Sequence, residues 1–260
     1  SLSDITVSEW TYADSKDTAI KVTDKVTLTG NLDDIAVYNS VVNGVVTITA
    51  VPKTKGTFKE VEPVSVNSNA TLSQSIDVHT GTRTIKLTNI TGNVNVTFYG
   101  TYCYDLITEF TVNAGESVKM LYTYVSSTNK AKILRIREED EDIPVASTHT
   151  WAEGGKHILR YSFTNHAVPY DMFNGVTAIT GIEIGDCVTS LESYAFKGTS
   201  IERVVIPETI TSFGSSLFYD CVKLKHAVLP KGITEIYDSM FRGCEALQSI
   251  DIPDGVTRFG

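Results

Sequence analysis

ITGIEIGDCVTSLESYAFKGTS (residues 179–200), IERVVIPETITSFGSSLFYDCVK (201–223), LKHAVLPKGITEIYDSMFRGCEA (224–246) and LQSIDIPDGVTRFG (247–260) follow one another without a break. The stretch restates itself every 22 or 23 residues. A period of that size marks a solenoid, whose units bury their apolar faces only against their neighbours. Ile179, Ile201, Leu224 and Leu247 head the copies, and Ile182/Ile184, Val204/Ile206, Ala227/Leu229 and Ile250/Ile252 then alternate like a strand with one buried face. Pro207, Pro230 and Pro253 end that strand, since proline lacks the N–H that a ladder needs. A second apolar pair follows at Val188/Leu191, Ile210/Phe213, Ile233/Ile236 and Val256/Phe259. Phe196, Phe218 and Phe241, preceded by Ala195, Leu217 and Met240, close each coil with a ring expected in the interior.

One earlier copy fits the template, because Leu159/Tyr161 lie 23 residues before Ile182/Ile184 and Met172/Phe173 lie 23 before Ala195/Phe196. Asn165 and Pro169 make it irregular, as expected of a unit that caps the first face of a stack, with Trp151 covering that end.

The pattern I-x-I-P-x-x-V/I-T-x-I/F, followed by Phe, Gly or Asp, Cys and Leu, is fullest at Phe241-Arg242-Gly243-Cys244-Glu245-Ala246-Leu247. Over residues 151–260 it resembles the BspA-type leucine-rich repeats of bacterial surface proteins and some protozoan parasites. The first full copy departs from the pattern, with Gly185 in place of the proline and Thr199 in place of the cysteine. The resemblance implies a cell-surface or secreted protein that attaches to host proteins or other cells.

The residues before position 137 read as all-β. Segments rich in Thr, Val and Ile, among them Val45–Val51, Arg83–Leu87, Val94–Phe98, Ser117–Tyr124 and Lys132–Ile136, are separated by turns such as Asn43-Gly44 and Thr80-Gly81, which argues a sandwich. Residues 85–97 resemble the closing hairpin of small immunoglobulin-like modules in bacterial surface proteins. Gly44-x-Val46-x-Ile48-Thr49 is echoed at Gly92-x-Val94-x-Val96-Thr97, so the region holds either two small sandwiches or the two halves of one. The expected fold is mainly β, an immunoglobulin-like sandwich followed by a leucine-rich-repeat solenoid of short stacked parallel strands. The expected division is 1–142, ending in an acidic linker, and 143–260.

That linker is Glu138-Glu139-Asp140-Glu141-Asp142, part of a net charge of −9. A run of like charge reads as a solvated segment. An acidic chain without a basic stripe is a poor nucleic-acid binder, and no stretch has the length of a membrane span. The chain begins Ser1-Leu2 and stops at Gly260 partway through a repeat, which reads as a piece of a longer protein.

Chemistry is sparse. Cys221 and Cys244 share a repeat column and are expected to stack as reduced thiols, while Cys187 sits at a turn and Cys103 stands alone. Four cysteines without close pairs match neither a zinc signature nor a disulfide scaffold. His149, His157 and His166 gather near Asp171 at no metal-ligand spacing. Ser193, Ser215 and Ser239 lack a nucleophile elbow, and no phosphate loop or carboxylate dyad stands out. The sequence therefore points to no catalytic residue, no metal site and no cofactor. Asn69-Ala70-Thr71, Asn89-Ile90-Thr91 and Asn95-Val96-Thr97 would accept N-glycans only in a eukaryotic source.

The solenoid surface remains. The outward residue between the two buried strand positions is Arg160, Glu183, Val205, Val228 and Asp251 in successive copies, and the preceding column adds Arg203, His226 and Ser249. Val205 and Val228 form an apolar centre, rimmed by Glu183, Arg203, His226 and Asp251, with the anatomy of a protein-binding patch. The Thr189, Thr211, Thr234 and Thr257 column is expected to bond neighbouring coils. These readings favour a non-catalytic adhesion or interaction protein whose partner is a host or cell-surface protein. Two alternatives are a structural protein of a phage or secretion system, and a carbohydrate-binding accessory module using Trp10, Tyr12, Tyr99 and Tyr102.

Overall fold

Alternation with a period of two sends every second side chain of Val45–Val51 to one sheet face, and Val46, Ile48 and Ala50 are buried there. The computed structural model describes residues 6–9, 19–53 and 59–260, with 6–9 and 19–20 as backbone. The chain divides into two units, residues 1–103 and 104–260.

In the first unit, β1 (Thr6–Glu9), β4 (Ile35–Val42), β5 (Val45–Pro52), β8 (Thr71–Asp77) and β9 (Thr82–Thr88) form an antiparallel sheet in the order β1-β4-β5-β9-β8. A second sheet runs β2-β3-β10-β7, from β2 (Ala19–Lys21), β3 (Val26–Asn31), β7 (Ser65–Val66) and β10 (Val94–Tyr99). The short β6 (Lys59–Val61) and β11 (Thr101–Cys103) pair with each other. Both sheets feed a single core, with Ile48, Ile85 and Leu87 from one and Leu28, Val96 and Phe98 from the other. The two echoed stretches thus fall in different sheets that share one core. Residues 85–97 are not a hairpin, because β9 and β10 lie in different sheets. Pairing side by side would have put their apolar residues on one sheet and left the other without its central strand. Instead the two rows contribute from opposite sides of the core.

The second unit opens with β12 (Leu106–Val112). With β14 (Ile133–Glu138), β15 (Glu141–Asp142), β17 (Gly155–Phe163) and β19 (Ile179–Ile184) it forms a sheet in the order β15-β14-β17-β12-β19. β13 (Ser117–Lys119) pairs with β16 (Thr148–Thr150), and a single helical turn, α1 (Ser127–Lys130), precedes β14. The division at 103/104, rather than 142/143, follows from burial. Leu106, Phe110, Met120 and Ile136 share one continuous core with Leu159, Phe196 and Phe218.

Nor is the acidic run a linker. It is a tight hairpin between β14 and β15, with Glu139 in the left-handed region at φ 45°. Two of its carboxylates, Glu138 and Asp142, are held locally. Glu138 accepts from the Trp151 indole at 2.9 Å and meets His157 Nδ1 at 2.6 Å, and the Glu139 carbonyl accepts from Arg160. Asp142 bridges Arg135 and Arg137 at 2.9 and 3.2 Å. Partial burial would raise the Asp142 pKa, but the two guanidinium groups outweigh it and hold the carboxyl below its ordinary range.

The period predicts β17 beside β19, and β12 lies between them. Thr108 faces Leu159 on one side and Ile182 on the other, and Leu106 faces Tyr161 and Ile184, antiparallel to both. Two strand spacings, about 10 Å, therefore separate these copies on the strand side. On the closing side the Phe173 and Phe196 rings are only 5.8 Å apart. The first coil is wedged open by a strand from outside the repeat, which is how residues 104–142 join the cap.

Beyond the wedge the stack is regular. β18 (Ala167–Val168), β20 (Ser190–Leu191) and β22 (Ser212–Phe213) make a parallel ladder at the second corner. It is followed by the pair β24 (Glu235–Ile236) and β26 (Arg258–Phe259). Phe196, Phe218 and Phe241 continue the ring column at 5.6 Å, within 10° of parallel. The residue two before each phenylalanine, Asp171, Tyr194, Ser216 or Ser239, has φ between 53° and 60°. That left-handed kink returns the chain toward the strand side. Phe173, Phe196 and Phe218 each donate their N–H to the next coil, to the carbonyls of Ala195, Leu217 and Met240. Coils approach so closely at Gly214 that a Cβ there would stand 2.1 Å from the Ser193 nitrogen.

Candidate functional site

Each proline-terminated strand leaves one short rung. β21 (Arg203–Val205), β23 (His226–Val228) and β25 (Ser249–Asp251) stack these rungs into a three-stranded parallel sheet. Its middle residues, Val204, Ala227 and Ile250, face the core. The flanking residues therefore point outward in two rows, Arg203-His226-Ser249 and Val205-Val228-Asp251, in register across the strands. Adjacent side chains stand about 4.8 Å apart.

Five of the six residues expected to form the patch share this sheet. Val205 is 48% exposed and Val228 partly buried beside it. His226 Nδ1 lies 2.9 Å from Ser249 Oγ, which ties the polar row together. Arg203 and Asp251 are exposed at opposite corners. Glu183, the sixth, is exposed on β19 and belongs to the neighbouring sheet, where it pairs with Ile107 of β12.

Arg160 does not belong to the outward column. Because β12 and β14 flank β17, Arg160 lies in the middle of the five-stranded sheet and is 1% exposed. Its guanidinium carbon sits 5.2 Å from the centre of the Tyr104 ring. Val205 and the partly buried Val228 together offer on the order of 100 Å², far below the roughly 800 Å² that a partner usually covers. They can be the centre of an interface but not its whole extent.

The Thr column bonds between coils: Thr211 N–H donates to the Thr189 carbonyl at 2.9 Å and Thr257 N–H to that of Thr234 at 3.0 Å. None of the four cysteines is disulfide-bonded. Cys221 and Cys244 donate to the Phe196 and Phe218 carbonyls, one coil back, at 3.2 Å each. Thr199 holds the equivalent place in the first full copy and donates its hydroxyl to the Phe196 carbonyl at 3.0 Å. Burial raises the pKa of both thiols, and that of Cys244, with Cys221 adding to the effect, is pushed up to about 12.

The histidines separate. His149 and His157 pack on Trp151, with ring centres 4.5 and 4.9 Å away. His166 instead joins Asp105 and Cys187, a grouping that the sequence did not suggest. Of the aromatic residues of the carbohydrate alternative, Tyr99 and Tyr102 lie among the described residues. Tyr99 is exposed and shares a 2.8 Å hydrogen bond with Ser65, Tyr102 is partly buried, and Trp10 and Tyr12 lie outside the described residues. Among the described residues, no helix is long and apolar enough to cross a membrane.

Residues 158–260 match the BspA-type leucine-rich repeat region, in six copies. A leucine-rich repeat protein from Bacteroides ovatus ATCC 8483, known from its crystal structure, is 28% identical over 36% of this chain and 24% of its own length, with a TM-score of 0.35. The leucine-rich repeat protein TpLRR of T. pallidum is 25% identical over 34% of this chain and 52% of its own, with a TM-score of 0.28. The chain thus spans about a quarter and about half of these two proteins. No curated protein matches it.

Proposed function

We propose that this is a non-catalytic, cell-surface or secreted bacterial interaction protein, which binds a host or cell-surface protein through the sheet of β21, β23 and β25. The N-terminal sandwich, immunoglobulin-like in role, serves as a spacer. The observation that carries the reading is the in-register pair Val205–Val228, held outward at the centre of a face rimmed by Arg203, His226 and Asp251. An apolar centre with a charged rim excludes water from its middle and sets orientation at its edge. The repeat match adds weight, because leucine-rich repeats typically mediate protein interaction.

The test is binding of the wild type and of the Val205→Glu/Val228→Glu double variant to a panel of immobilised extracellular-matrix proteins. Both side chains point away from the core, so the variant is expected to keep its circular dichroism spectrum and melting profile. It should lose about 2 kcal/mol or more of binding, some thirtyfold in Kd. Equal binding by both proteins would move the interface elsewhere.

A further inference from the structure

Three side chains that lie far apart in the sequence converge where the wedge closes. Asp105 immediately precedes β12, His166 follows β17, and Cys187 follows β19. One donor atom from each lies within 4.8 Å of the other two. His166 Nδ1 is 2.7 Å from Asp105 Oδ1, and Cys187 Sγ is 3.3 Å from the same oxygen and from the Tyr104 carbonyl. The other Asp105 oxygen accepts the Phe163 N–H at 2.6 Å. The Asp105 side chain is 1% exposed, while that of His166 is 53% exposed.

We propose that Asp105, His166 and Cys187 bind a divalent cation of the zinc class. The donor set is one thiolate, one imidazole and one carboxylate, the ligands zinc takes at about 2.3, 2.0 and 2.0–2.2 Å. Tetrahedral bonds of those lengths set donors about 3.3–3.6 Å apart. The Asp–Cys pair, at 3.3 Å, is within about 0.4 Å of the sulfur–oxygen separation those bonds require. The Asp–His pair needs to open by less than about 1 Å, which the half-exposed ring is free to do. The Phe163 N–H fixes the carboxylate and leaves Oδ1 for the metal, the usual outer support of such a ligand. Thiolate and imidazole select zinc, cobalt and nickel over calcium and magnesium.

Charge and protons balance. The cation replaces the proton on Cys187 Sγ, which is released to solvent. The imidazole binds as the neutral base, with its proton on Nε2 once Nδ1 coordinates. A dication with one thiolate and one carboxylate leaves the site neutral around a buried Asp105, which is what burial of a carboxylate requires. Because the ligands come from the ends of β17, β12 and β19, the metal would lock the inserted strand into the first coil.

The experiment titrates the full chain, stripped with a chelator, with cobalt(II) as a spectroscopic stand-in for zinc. The expected result is one equivalent bound, with a thiolate-to-cobalt charge-transfer band in the near ultraviolet and the intense visible bands of four-coordinate cobalt. Cys187→Ser should abolish the charge-transfer band. His166→Gln should weaken binding by tenfold or more while keeping the thiolate band at saturating metal. Zinc should raise the melting temperature of the wild type and leave that of Cys187→Ser unmoved. Circular dichroism checks that both variants fold, and both altered side chains are partly exposed, so folding is expected. The proposal is overturned by absence of the band at stoichiometric cobalt, by its survival in Cys187→Ser, or by calcium or magnesium binding as tightly as zinc.

Discussion

Replacing Phe218 with alanine is the sharpest perturbation of the stack. The ring is fully buried, with parallel neighbours 5.6 Å away on both sides, Phe196 and Phe241. Truncation vacates about 100 Å³, which at about 24 cal/mol per Å³ costs about 2.4 kcal/mol if nothing collapses into the void. The lost transfer energy of the phenyl group adds about 2 kcal/mol. The expected total is about 3–5 kcal/mol, toward the upper end because each neighbouring ring is held by its own coil. Phe241 is partly buried and, among the described residues, stacks on Phe218 alone, so Phe241→Ala should cost about half as much. Urea denaturation gives the size of the loss, and hydrogen–deuterium exchange shows where it falls. Since coils share one core, amides around Phe196 and Phe241 should lose protection together with those of the altered coil. A Phe218→Ala cost no larger than that of Phe241→Ala, or deprotection confined to one coil, would refute the assignment of this column as the shared interior.

Two further outcomes follow from the cap and the thiol column. A fragment of residues 104–260 should melt cooperatively, whereas one of residues 143–260 should not, because it lacks β12 and the buried Leu106, Phe110 and Met120; calorimetry of the two fragments distinguishes them. Native-state alkylation at pH 8 should spare Cys244, whose pKa is raised from 9.0 to about 12, and Cys221, also raised, with modification only on unfolding. Because the unfolded chain gives up the Cys244 proton first, this thiol's contribution is fully present below about pH 9 and is lost as the pH rises toward 12. Cys244→Ser should flatten that part of a stability–pH profile.

The columns of the solenoid were legible because each position recurs. Ile182, Val204 and Ala227 are all interior, and the prolines and phenylalanines fall where a coil must turn or close. The wedge was not legible. Leu106–Val112 is buried along nearly its whole length, and nothing local states that its partners are Leu159 and Ile182, more than fifty residues from Thr108. Missing it also misplaced Arg160, which the period assigns to an open column and two flanking strands bury. The acidic run is solvated as its charge implies, with Glu139, Glu141 and Asp142 exposed, but charge alone does not reveal that it turns a hairpin or that it meets Arg135, Arg137, Arg160, Trp151 and His157. Asp105, His166 and Cys187 escaped for a related reason. Separations of 61 and 82 residues from Asp105 match no ligand motif, and only the insertion of β12 brings them together. In the first unit, Val45–Val51, Arg83–Leu87 and Val94–Phe98 were legible as strands and Ile35–Val42 and Thr71–Asp77 were not singled out, while the assignment of β9 and β10 to opposite sheets depends on which face each apolar row must cover.

The central functional claim is that the open sheet of the repeats is the binding face, and an exchange footprint tests it most directly. Hydrogen–deuterium exchange would be compared for the free protein and its complex with whichever matrix protein binds in the panel. Protection is predicted over residues 203–205, 226–228 and 249–251, centred on Val205 and Val228, with the strands of the first unit unchanged. Protection confined to residues 21–103, or to the closing side of the coils around Tyr194 and Tyr219, would contradict it.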